Sequence, residues 1–64
     1  MEAEKFLNLT KYKAQDLAEA NNMIFRLIRS DGELFFDYPD DAEKRTDRIC
    51  IELEAGRVVK AIVS

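Results

Sequence analysis

The pattern of apolar residues divides the chain at Asn21-Asn22 into a helical first third and a strand-rich remainder. Ala14, Leu17 and Ala18 recur at helical spacing within a run of good helix formers, predicting a helix over Lys11–Ala20 with a narrow apolar stripe. Thr10 suits its N-cap, because a hydroxyl there can accept from a first-turn N–H. Asn21-Asn22 suits its end, because asparagine tolerates the left-handed conformation that a C-cap needs. Phe6, Leu7 and Leu9 precede this helix and are expected to fold back over the core.

The remainder reads as strands. Met23–Arg29 is short, apolar and bounded by turn residues. Ser30-Asp31-Gly32 is a turn signal. Leu34–Tyr38 is aromatic and prefers extended backbone, and Pro39 ends it because proline cannot donate to a ladder. Pro39–Asp47 is polar without an apolar period, so residues 39–47 are read as a loop. In Arg48–Leu53, Ile49, Ile51 and Leu53 point one way and Arg48, Cys50 and Glu52 the other. Glu54-Ala55-Gly56 turns the chain into a last strand, Arg57–Val63. The economical architecture is a single α+β domain over residues 1–64. One helix packs on the Ile49, Ile51 and Leu53 face of a small mixed sheet, and a long exposed loop joins the central strands.

With 64 residues there is room for one core and no deep cleft with its own supporting shell. The net charge of −3 and scattered basic residues point away from nucleic acid. One cysteine, Cys50, forms no intrachain disulfide, and no apolar run follows Met1–Lys5. A signal peptide and a membrane partner are therefore not expected, and a reducing cytoplasm is.

The chemistry present is sparse. There is no histidine, so nucleophile arrangements lack their usual base, and Gly32 and Gly56 sit at turns rather than in a phosphate loop. Cys50, mid-strand, reads as a small apolar filler. An enzyme and a cofactor are not expected. Asp37, Asp40, Asp41, Glu43 and Asp47 crowd the loop, but their spacing departs from the EF-hand pattern and Lys44, Arg45 and Arg48 partly neutralise them. The reading is a solvated charged loop without a metal. Phe35 and Phe36 are adjacent and so face opposite sides of an extended chain: either both are covered internally or one is a contact residue. Arg48, with its rigid fork of donors, is expected to brace the loop through a carboxylate such as Asp37.

Asp47-Arg48-Ile49-Cys50-Ile51-Glu52-Leu53 followed by Gly56-Arg57-Val58-Val59 resembles the final hairpin of the potato inhibitor I (eglin-like) family, closest to its short bacterial peptidase-inhibitor relatives. Phe25-Arg26-Leu27-Ile28-Arg29 with Gly32 is similar to the strand entering their reactive loop, and Phe36-Asp37-Tyr38 to the loop's central triplet. The resemblance implies parallel central strands and a serine-protease inhibitor with its reactive bond at Phe36-Asp37. Phe36, Asp37, Tyr38 and Pro39 would then contact the partner, Phe36 would enter a chymotrypsin- or subtilisin-like pocket, and Asp47 and Arg48 would support the loop. Inhibition would come from preorganisation. The stretch from Gly32 to Asp47 is longer than the family's loop, Phe35 replaces a usual threonine, and Cys50 replaces a second supporting arginine. The family keeps Glu33–Tyr38 off the sheet; here some extra pairing along Leu34–Tyr38 is expected. Two other functions fit the same scaffold: a bacterial or phage interaction protein that inhibits no protease, and a structural unit assembling through an exposed sheet edge. A monomer that binds another protein through residues 36–48 is the expected state.

Overall fold

A computed structural model describes residues 2–64. A short 3-10 turn, Ala3–Phe6, leads into helix α1, Lys11–Ala20, followed by strands β1 (Ile24–Ser30), β2 (Glu33–Leu34), β3 (Arg48–Glu54) and β4 (Arg57–Val63). The strands form one sheet in the order β2-β1-β3-β4. β1 and β3 run parallel, and the other pairs are antiparallel. This is the expected α+β class, with one helix on a mixed sheet and the long loop between its parallel central strands.

Local chemistry explains the boundaries. The Thr10 hydroxyl accepts from the Lys13 N–H at 3.3 Å, capping α1. At the other end Asn22 adopts φ 56°, so that its N–H reaches the Glu19 carbonyl and the Met23 N–H reaches that of Ala18. That paired closure is a Schellman motif with asparagine in the left-handed position. It consumes the Met23 N–H, so the strand expected from Met23 begins at Ile24 instead. β1 extends to Ser30 because Asp31 and Gly32, both at positive φ, form a two-residue hairpin turn that pairs Ser30 with Glu33. Ala55-Gly56 repeats this turn between β3 and β4, and the Asp31 carboxylate accepts from the Ala55 N–H at 2.9 Å. The alanine's unfavourable φ of 51° is thereby held in place.

The strand expected over Leu34–Tyr38 is corrected to Glu33–Leu34. The Phe35 and Phe36 amides both converge on the Ile28 carbonyl, at 2.7 and 3.3 Å, opposite a bulge in β1 between Leu27 and Arg29. Two donors on one acceptor end the alternating ladder, and the chain leaves the sheet edge at Phe36.

The core lies between α1 and one sheet face. Phe6, Ala14, Ala18, Ile49, Ile51, Leu53 and Val58 are buried together, with Leu9, Leu17, Phe25, Leu27 and Val63 packed around them. Ala14 and Ala18 bring the helix backbone close to the sheet, while Phe6 supplies bulk from the turn before it. Of the three residues expected to fold back, Phe6 and Leu9 do so, and Leu7 stays exposed.

Candidate functional site

Strand alternation sends Arg26, Ile28, Arg48, Cys50 and Glu52 to the face opposite the helix. Ile28, Arg48 and Cys50 are nonetheless buried, so this second face is also covered. Its cover is the chain from Phe36 to Asp47, which lies along β3 and is pinned at both ends.

At one end Tyr38 donates its hydroxyl to the Glu52 carboxylate. Lys60 stands 5.2 Å from the centre of the Tyr38 ring and 3.9 Å from Glu52, and Arg29 approaches Glu52 from the other side at 3.6 Å. Burial, and then the hydrogen bond and negative charge of Glu52, raise the Tyr38 phenol above its ordinary range. Beside it the Arg26 guanidinium lies over the Phe36 ring, 5.2 Å from its centre.

At the other end Arg48, almost fully buried, donates Nη2 to the Glu43 carbonyl at 3.0 Å and Nε to the Ser64 carbonyl at 2.8 Å. The Ser64 N–H returns to the Arg48 carbonyl. Arg48 therefore ties loop, β3 and the end of β4 together. Asp47 grips Arg45 through both carboxylate oxygens, at 2.7 and 2.9 Å, and its own carbonyl accepts from Ile24. That hydrogen bond and charge hold the Asp47 carboxyl below its usual range and raise the Arg45 guanidinium. Asp40 shapes the turn between the two ends, its carboxylate accepting from the Ala42 and Glu43 amides.

The predicted site residues thus divide. Asp47 holds Arg45, while Arg48 holds Glu43 and Ser64 through their backbone carbonyls and does not reach Asp37. The reason is distance along the strand: Arg48 opens β3, whereas the Phe36–Tyr38 triplet lies near Glu52, four residues or about 13 Å further on. Asp37 is exposed and joins none of the side-chain hydrogen bonds or ion pairs formed among the described residues. Tyr38 and Pro39 are half-buried, so Tyr38 acts as a strut beneath the loop. Phe36 is 54% exposed, Phe35 48% and Leu34 50%, three consecutive exposed apolar residues where the chain leaves β2. Neither phenylalanine fills the core.

Glu52 is the partner of the loop that periodicity did not single out. Its only sequence signal is a carboxylate at a strand position that faces away from the apolar core, paired in register with Arg29 and Lys60. Cys50 is wholly buried, and that burial pushes its thiol up against the opposing pull of Arg48 and Arg26. The described residues include no group of three or more His, Cys, Asp or Glu side chains placed to hold a metal ion. No helix among them is long and apolar enough to cross a membrane. No protein-family model, curated protein or solved structure matches this chain.

Proposed function

We propose that this is a non-catalytic protein-binding domain that presents Leu34–Pro39 to a partner protein, and that the partner class is a serine protease of the chymotrypsin or subtilisin type. The observation that carries this reading is the exposed run of Leu34, Phe35 and Phe36 at the mouth of a loop tied down at both ends. Adjacent exposed aromatics make good anchors, and a tethered loop loses little conformational freedom when it binds. Parallel strands flanking the loop suit an inhibitor of the potato inhibitor I kind, with Phe36-Asp37 as the reactive bond. The Tyr38–Glu52 and Arg48–Glu43 contacts take over the bracing that an arginine–Asp37 contact would provide. A free, buried Cys50 suits work in a reducing cytoplasm.

The test is inhibition. Titrating chymotrypsin and subtilisin with the protein is expected to give reversible inhibition at or below micromolar concentration. Phe36→Ala is expected to weaken it by roughly a hundredfold, the effect of truncating a central aromatic anchor. No inhibition at micromolar protein, or equal inhibition by Phe36→Ala, overturns the proposal.

A further inference from the structure

The outer edge of β4 carries a second surface. Two backbone contacts define which of its groups are free. The Ser64 N–H turns inward to the Arg48 carbonyl at 3.1 Å. Val58 turns outward, exchanging both bonds with the chain before α1: its N–H reaches Leu9 and its carbonyl accepts from Asn8, each at 2.9 Å. Counting back from Ser64 along an antiparallel ladder, Ile62 and Lys60 bond inward, while Ala61 and Val63 direct both N–H and C=O away from β3. The irregularity in β3–β4 pairing at Glu52/Leu53 places an extra residue at Val59, which reconciles this count with the outward-facing Val58. Among the described residues the free edge therefore runs from Lys60 to Ser64, and Asn8–Thr10 blocks its continuation.

We infer that this edge pairs with the same edge of a second copy, making one continuous sheet across a two-fold axis at Ile62. In that register Ala61 of each copy faces Val63 of the other. Both free pairs become hydrogen-bonded pairs, giving about four backbone bonds. Ile62 meets Ile62 in the close, non-hydrogen-bonded pair, where Cα atoms approach to about 4.5 Å. Ile62 is now 37% exposed and sits on the face away from the helix, so the pairing covers an apolar side chain. Lys60 faces Ser64, so no like-charged side chains oppose each other, and the Lys60–Ser64 segment holds no other charged side chain. The edge is its own complement in backbone hydrogen bonding and brings no like charges into register, and this is what selects a second copy as the occupant. The proposal goes beyond the monomer expected from the sequence.

A five-residue edge is a small contact, so the dissociation constant is expected on the order of 100 µM. Sedimentation equilibrium of the whole protein from about 10 µM to about 1 mM should show reversible monomer–dimer exchange. Ile62→Lys sets two ammonium groups against each other at the axis and should weaken the dimer roughly tenfold or more, with thermal unfolding checked alongside. Hydrogen exchange on the wild type gives a reading that needs no variant: the Ala61 and Val63 amides should slow as concentration rises, relative to other exposed amides. A monomer at the highest concentration overturns the proposal. So does a dimer that Ile62→Lys leaves intact, or exchange at Ala61 and Val63 that ignores concentration.

Discussion

The two faces of the sheet are both covered, but by different physics. On the helix face, seven buried residues from four segments of chain meet in one apolar cluster without a polar side chain among them. On the loop face, the same strands offer Arg26, Arg48, Cys50 and Glu52, and the covering chain is held by a few directed contacts at its ends. Apolar contact is non-directional, so it tolerates small shifts and spreads its stabilisation over many atoms. Directed hydrogen bonds place a segment more narrowly, and each is worth only about 1 kcal/mol net. The difference suits a division of labour: the helix face keeps the domain folded, and the loop face sets the position of the covering loop.

That division can be broken most severely from the apolar side. Phe6 is wholly buried and fills the space that the small Ala14 and Ala18 leave beneath the helix. Phe6→Ala should cost about 3–5 kcal/mol, which is close to the whole net stability expected of a domain this small. Circular dichroism at room temperature should show a largely unfolded chain. A cooperative thermal transition near the wild-type temperature would mean that Phe6 is not a keystone of that core.

Arg48 comes next in size, because among the described residues it is the one charged side chain buried on the loop face. Arg48→Met keeps much of the volume but strands the Glu43 and Ser64 carbonyls without their donor. Charge-assisted bonds of this kind support an expected loss of about 2–4 kcal/mol in urea unfolding. Hydrogen exchange should sharpen the comparison. The Glu43 and Ser64 amides should lose protection, while the α1 amides change only with global stability.

The two faces were also unequally legible in the sequence. Everything on the helix face is written in local signals: the stripe of Ala14, Leu17 and Ala18, the cap at Thr10, the asparagine pair, and the alternation of Ile49, Ile51 and Leu53. Those signals act within a few residues, and the helix and the last strand lie where they indicate. The loop face depends on pairs distant in sequence, such as Tyr38 with Glu52 and Arg48 with Ser64, which leave no period to read. Arg48 was recognisable as a brace from its chemistry, but its acceptors are backbone carbonyls, which every residue possesses. The end of β2 was hidden for a related reason. Leu34–Tyr38 has the composition of a strand, and only the shared Ile28 carbonyl, opposite a bulge, turns it off the sheet.

The smallest of these effects isolates a single contact. Tyr38→Phe removes one hydroxyl and leaves the ring beside Lys60, so the loss should be about 1–2 kcal/mol, as for one bond to a charged group. Alkaline pH gives this substitution its own signature. The Tyr38 phenol titrates higher in the folded chain than the ordinary value of 10.0 that applies when unfolded. Its contribution is therefore fully present below pH 10 and is lost as pH rises above 10 toward the folded value. The phenylalanine variant has no such contribution to lose. The stability gap between the two proteins should hold constant from neutral pH to about pH 10 and narrow above it. A gap that stays constant to higher pH would show that the hydroxyl is not the loop's anchor, and would leave Arg48 alone to hold the covering segment on that face.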